Sequence, residues 1–281
     1  MNPLITPEEL VILNQEKEKR LMLIDARSGP EARERYEELH LEGALWVDLE
    51  HDLADIKEDL AQGGRHPLPQ PEDFAGLLGR LGITPGSHMV VYDDKNGAFA
   101  AARFWWMMKA TGHEKVQVLD GGFEAALEAE FPGSTGTENP APAQPYPFNE
   151  WKLNTVGMHE VKAAASDPDF LLIDVREEER YRGESEPIDL VAGHIPGAIS
   201  VPYEKNLGPG GRFLPPEDLK AMYSKIIGNR DKGKIIVHCG SGVTACHTIL
   251  AMASAGLKMP LLYTGSWSEW SRNGLPIGRT K

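Results

Sequence analysis

Leu172-Ile-Asp-Val-Arg176 repeats, with one change, the earlier segment Leu23-Ile-Asp-Ala-Arg27. Each is an apolar run ending in a carboxylate, as expected of a buried strand. Four more pairs follow in the same order. His194-Ile-Pro-Gly-Ala198 answers His40-Leu-Glu-Gly-Ala44, and Gly210-Gly-Arg-Phe-Leu-Pro-Pro-Glu-Asp218 answers Gly63-Gly-Arg-His-Pro-Leu-Pro-Gln-Pro-Glu-Asp73. Ile236-Val-His-Cys239 stands where Val90-Val-Tyr-Asp93 stood, and Gly265-Ser-Trp267 where Gly121-Gly-Phe123 stood. Five matches in one order, at an offset of about 150 residues, mark a duplication. Strands alternate with helices in each copy, so the fold class is α/β, each copy a mainly parallel sheet flanked by helices.

Outward from that repeat, the first copy reads clearly. Thr6-Pro7-Glu8-Glu9 is a capping box with proline at the first helical position, predicting a helix from about residue 7. Strands are expected at Leu21 to Ile24, Leu45 to Val47, Met89 to Tyr92 and Val116 to Val118. Helices are expected over 33–38, 72–81 and 98–110, with a last short one after Phe123. Pro132, Pro140, Pro142, Pro145 and Pro147 then crowd one stretch, which reads as a wrapping or spacing linker. The expected division is residues 1–131, a linker over 132–150, and a second domain over 151–281.

The second copy carries the chemistry. Ile235, Ile236 and Val237 form a buried strand, and apolar spacing beyond Thr244 predicts a helix. Between them lies Cys239-Gly-Ser-Gly-Val-Thr244. Gly240 and Gly242 permit backbone angles that turn successive N–H groups inward, and the loop runs into a helix N-terminus. The N–H groups of Gly240, Ser241, Gly242, Val243 and Thr244 are thus expected to form an anion cradle that favours thiolate at Cys239. Free cysteine is also a common core residue, and that is the reading for Cys246. His247 is read as a partly buried helix residue. The position of Cys239 is Asp93 in the first copy, which has no sulfur chemistry. One active site is therefore expected, in the second domain at the C-terminal end of its sheet.

Composition bounds the alternatives. The chain has 281 residues, a formal net charge of −13 and two cysteines. The acidic balance argues against nucleic acid or an anionic membrane as partner. Two cysteines make no disulfide framework, fitting a reducing compartment. Met1 to Leu10 lack a basic segment leading to an apolar core, and no run approaches membrane-spanning length. The expected location is the cytoplasm. The cysteines lack the paired spacing and ligand set of a zinc site, and no Gly-Lys-Ser/Thr nucleotide loop is present. No metal and no cofactor are expected.

Together the paired Asp-x-Arg segments, His194-Ile-Pro-Gly-Ala198, Cys239-Gly-Ser-Gly-Val-Thr-Ala245 and Gly265-Ser-Trp267 resemble the tandem-domain rhodanese family of sulfurtransferases, over residues 4–278. The resemblance implies two rhodanese-like domains, the first non-catalytic. It also implies that Cys239 takes sulfur from a small donor as a persulfide and passes it to cyanide or a thiol, with a thioredoxin-like reductant as a further partner. Cys-Gly-Ser-Gly-Val-Thr is similar to the mercaptopyruvate form, with Ser241 near the departing sulfur. The thiosulfate form usually carries cations just after the cysteine, where Gly240 and Ser241 are neutral. Arg180-Tyr-Arg-Gly183 matches the donor-binding arginine motif at Arg180. The family's second arginine follows a Glu-Pro pair, and here Glu186-Pro187 is followed by Ile188; Arg182 is the remaining nearby candidate. Both donors stay open on this reading. His66, with Glu50 as its acid, matches a proton relay to Ser241; a loop histidine held by its neighbours is the alternative. Arg65 and Arg212 occupy duplicated loops and are read as structural first, with pocket lining as the alternative. Asp25 and Asp174, shared by both copies, are read as structural, and His238 as packing first.

Two other classes compete. Cysteine phosphatases need an arginine six positions after the nucleophile, and that position is Ala245. The other is a sulfur-carrier or binding module without independent catalysis, the role of family copies that lack the cysteine, as the first domain here does; steady-state product release separates it from an enzyme.

Overall fold

The computed structural model describes residues 1–16, 21–153 and 155–280. It divides into two compact units. The first comprises Met1–Ala54, Pro69–Leu153 and Pro209–Arg212; the second comprises Asp55–Leu68, Asn154–Gly208 and Phe213–Lys281. The units are therefore not simple halves of the chain. Residues 55–68 precede the linker yet belong to the second unit, and the equivalent loop at 209–212 belongs to the first.

The first unit is built on a five-stranded parallel sheet in the order Leu4–Ile5, Val116–Leu119, His88–Tyr92, Leu21–Asp25, Ala44–Trp46. Helices Pro7–Gln15, Ala32–Glu38, Pro71–Arg80, Ala100–Thr111 and Gly122–Glu128 flank it. The Thr6 capping box is formed: its hydroxyl accepts from the Glu9 N–H, and Glu9 accepts from the Thr6 N–H. Leu23, Val90, Tyr92, Leu119 and Phe123 are among the buried core.

In the second unit the order is Thr155–Val156, Leu261–Tyr263, Ile235–His238, Leu171–Asp174, Ala198–Ser200, again all parallel. Strand for strand it is the topology of the first. Its core gathers Leu172, Ile195, Ile236, Tyr263, Trp267 and Trp270. The duplication read from sequence is thus a duplication of structure.

The repeated Asp-x-Arg segment explains itself in both units. Arg27 Nη2 lies 2.7 Å from Asp25 Oδ2 and donates to the Leu39 carbonyl at 2.7 Å, while its guanidinium stacks 4.1 Å from the Phe123 ring centre. Arg176 Nη2 lies 2.6 Å from Asp174 Oδ2 and donates to the Gly193 carbonyl at 2.6 Å, with its guanidinium 4.7 Å from the Trp267 ring. Each buried ion pair therefore ties a central strand to the loop before the edge strand and to the last helix. Such a pair is tolerable in the core because every charge is hydrogen-bonded. Burial alone would raise the Asp174 carboxyl, but Arg176 and His238 outweigh it, so its pKa lies below the ordinary value.

The proline-rich stretch runs along the first unit. Gly133–Ser134 pairs antiparallel with His40–Leu41, the Ala143 N–H donates to the Gly79 carbonyl at 2.8 Å, and Tyr146 is buried.

Candidate active site

The strand Ile235–His238 lies in the middle of the second sheet and ends at Cys239, which is 2% exposed. Residues 239–243 then turn into the helix Thr244–Ser254. The Cys239 carbonyl accepts from the Trp267 N–H at 3.0 Å, and the Gly240 carbonyl accepts from the Ser268 N–H at 2.8 Å. These bonds fix the loop against the segment after the strand Leu261–Tyr263. Gly242 has φ +77°, and a Cβ there would sit 2.5 Å from the Thr264 carbonyl oxygen, so glycine is required on both counts. Cys246 is fully buried, its thiol donating to the Gly242 carbonyl at 3.3 Å, the core role expected of it. His247 is fully buried rather than partly so, packed 4.5 Å from the Phe213 ring.

Sequence reading did not single out Ser266. Its hydroxyl accepts from the Cys239 N–H at 3.2 Å and donates to the Tyr263 carbonyl at 2.8 Å. It holds a left-handed backbone, φ +53°, a conformation disfavoured for a residue with a Cβ. Its counterpart Gly122 is also left-handed, φ +65°. That mismatch, serine where the repeat has glycine, was the signal available in the sequence.

In the first unit the position of Cys239 is taken by Asp93, at the head of a longer loop: residues 93–99 precede the helix Ala100–Thr111, whereas residues 239–243 precede Thr244–Ser254. The fully buried Asp93 carboxylate accepts from four N–H groups, those of Lys95 at 2.9 Å, Gly97 at 2.8 Å, Phe99 at 3.2 Å and Ala101 at 3.3 Å. Burial pushes its carboxyl up and these four donors pull it back. A strand-loop-helix turn of this kind converges backbone donors on the tip of its first side chain.

The loop at 55–68 borders the cysteine loop. The Gly63 N–H donates to Glu269 Oε1 at 2.9 Å and the Arg65 N–H to Ser268 Oγ at 3.0 Å. His66 Nδ1 lies 2.8 Å from the Ser241 hydroxyl oxygen. Glu50 lies in the first unit, exposed, its N–H bonded to Asp48 at 2.8 Å.

Four charged groups crowd the other side of the loop. Asp189, whose side chain has no exposure, takes Arg65 Nε on Oδ1 at 3.0 Å and Arg272 Nη1 on the same oxygen at 3.1 Å. Its Oδ2 takes Arg65 Nη2 at 3.2 Å and Arg180 Nη2 at 3.3 Å. Arg180 is also clamped by Glu186 Oε1 at 2.8 Å and meets Glu177 at 3.2 Å. Burial disfavours the Arg180 charge, but Glu186 and Glu177 outweigh it and raise its pKa. Arg182 is turned outward instead, its side chain 45% exposed and paired with Glu178 at 2.5 Å. Asp189 and Arg272 were not anticipated; no spacing rule links them, since their meeting is made by the fold.

His238, beside the cysteine, is fully buried, with Nε2 4.0 Å from Asp174 Oδ2. Burial drives its pKa below the ordinary value, with Asp174 opposing. Its counterpart Tyr92 donates to Asp25 Oδ2 at 2.8 Å.

Comparison with known proteins places this geometry. The family model described as the rhodanese-like domain matches twice, over residues 6–129 and 158–273. The chain is 40% identical over 275 residues to a probable 3-mercaptopyruvate sulfurtransferase of Pseudomonas aeruginosa, covering 95% of this chain and 94% of that one. It is 37% identical over 280 residues to a putative thiosulfate sulfurtransferase of Mycobacterium tuberculosis, covering 98% and 96%. Among solved structures, one from Escherichia coli, reported for the rhodanese fold and catalytic mechanism of 3-mercaptopyruvate sulfotransferases, superposes with TM-score 0.76. Its identity to this chain is 31%, with 96% of this chain and 100% of that one covered.

Proposed function

The chain belongs to the rhodanese-like family, and on that premise we propose that it is a sulfurtransferase working through Cys239, with 3-mercaptopyruvate as the favoured donor. The Cys239 thiolate attacks the donor sulfur. The carbon–sulfur bond breaks, its electron pair leaves as the enolate of pyruvate, and the sulfur stays on Cys239 as a persulfide. A proton delivered to the enolate completes pyruvate, and the Ser241–His66 pair, joined at 2.8 Å, is the group set to deliver it. Cyanide or a thiol then attacks the outer sulfur, the sulfur–sulfur bond breaks, and the Cys239 thiolate returns with release of thiocyanate or a persulfide product.

The observation that carries the reading is the place of Cys239, at the C-terminal end of the strand Ile235–His238 in the middle of the sheet, ahead of the N-terminus of the helix Thr244–Ser254 and beside the guanidinium groups of Arg65 and Arg180. In the first unit the equivalent position holds a built-in anion, Asp93, on four N–H groups of a longer loop. A persulfide anion on Cys239 is stabilised in this reading by the amides of its own loop and by that positive surround. The first unit has no sulfur chemistry in this reading.

Thiosulfate is the second donor, favoured by the three guanidiniums gathered on Asp189. The acceptor in the cell is a thiol maintained by a thioredoxin-like reductant. The cytoplasm is the fitting compartment, because both cysteines are free thiols. No helix among the described residues is long and apolar enough to cross a membrane.

Mass spectrometry after exposure to donor tests the assignment: one sulfur is gained by the unaltered chain and by Cys246→Ser. A Cys239→Ser chain that still gains it, or still turns over, defeats the proposal.

A further inference from the structure

The family's second donor-binding arginine is absent at Ile188, whose exposed position follows Pro187. The side chain that in thiosulfate-type loops follows the cysteine is also absent, at Gly240. We propose that Arg65 fills both vacancies: it is the second donor-binding cation, standing in the volume that a side chain on residue 240 would occupy, with Asp189 positioning it beside Arg180. This rests on the sulfurtransferase reading and names a residue for the donor half of it.

Geometry carries the inference. A Cβ built on Gly240 would lie 2.8 Å from Arg65 Nη2, 3.4 Å from Arg180 Nη2 and 3.6 Å from Asp189 Oδ2. The backbone at Gly240 is not left-handed, so conformation does not demand glycine there. What a side chain there would displace is the end of Arg65. Arg65 and Arg180 present the same nitrogen, Nη2, to the peptide next to the nucleophile, and both nitrogens are tied to one oxygen, Asp189 Oδ2, at 3.2 and 3.3 Å. Two guanidiniums held in register on a buried carboxylate lose little freedom when a ligand arrives.

Arg65, Arg180 and Arg272 all meet Asp189, while Glu186 and Glu177 hold Arg180 from its other side. Asp189 is thus the carboxylate that positions all three guanidiniums, and its charge weighs against a donor with two negative charges more than against one with a single carboxylate.

Steady-state kinetics of the full chain with both donors tests this. Arg65→Gln is expected to raise KM for mercaptopyruvate about tenfold or more, the size of a lost charge-assisted hydrogen bond, with kcat much less affected and partial rescue in Arg65→Lys. Gly240→Ala, which keeps Arg65 but pushes its guanidinium aside, is expected to raise KM in the same direction. Adding it to Arg65→Gln should add little, because both act on one group. Asp189→Asn, by removing a negative charge, is expected to shift the ratio of kcat/KM toward thiosulfate. Unchanged KM for both donors in a folded Arg65→Gln chain, or full additivity with Gly240→Ala, overturns the proposal while leaving the sulfurtransferase reading intact. Failure of the unaltered chain to form a persulfide ends both.

Discussion

His66 Nδ1 and Ser241 Oγ are 2.8 Å apart, joining the loop at 55–68 to the second residue of the cysteine loop. The pair matters only if a proton must reach the leaving group. The enolate released from mercaptopyruvate needs one, whereas sulfite released from thiosulfate does not. Ser241→Ala and His66→Gln are therefore expected to lower kcat with mercaptopyruvate by about 100-fold, the lower range for a general acid, and to leave the thiosulfate rate far less changed. Parallel assays with the two donors check this; equal losses with both would remove the relay.

Asp93 is a structural anion. Truncation to alanine would leave four N–H groups facing an empty space, and Asp93→Ala is expected to cost about 2–4 kcal/mol. Asp93→Asn keeps one acceptor oxygen and should recover part of it. Denaturant unfolding of the three chains gives the ordering.

His238 sets a pH dependence. Its folded pKa lies below the ordinary 6.5 because burial disfavours the charged ring. The unfolded chain therefore takes up the proton first as pH falls, and the stabilisation present above 6.5 is lost progressively below it. His113, lowered chiefly by burial, acts with the same sign. The groups facing His238 are Asp174, Arg176 and His194. Each histidine contributes a slope of up to about 1.4 kcal/mol per pH unit. His238→Tyr copies Tyr92, which bonds its aspartate directly, and is expected to flatten the slope between pH 7 and 5 in thermal unfolding.

Gly242→Ala meets two obstacles at once, a positive φ and a Cβ 2.5 Å from the Thr264 carbonyl oxygen. It is expected to destabilise the chain by about 2 kcal/mol or more and to lower sulfur transfer by shifting the loop. Calorimetry together with donor turnover separates the two effects.

The fold was legible because each copy repeats the same local rules. The capping box at Thr6, the apolar runs ending at Asp25 and Asp174, and Gly242 of the cysteine loop all act over a few residues and stand where read, whereas Gly240 does not take the left-handed backbone expected of it. The strand, loop and helix that carry Cys239 were legible for the same reason. The charged side of the site was not. Asp189 lies between the exposed side chains of Ile188 and Leu190 yet is itself buried. Its partners Arg65 and Arg272 are 124 and 83 residues away. Only folding brings them to one carboxylate. Ser266 left a trace in the repeat, serine against Gly122, but its bond to the Cys239 N–H spans 27 residues and is made by the fold.

Chain order and compactness part company at residues 55–68. An engineer who severs the gene within the proline-rich stretch and keeps the later half receives the nucleophile, Ser241 and Arg180, but neither the imidazole nor the guanidinium that this loop supplies. A portable version of the sulfur site must carry that fourteen-residue loop as a graft, spliced ahead of the second sheet.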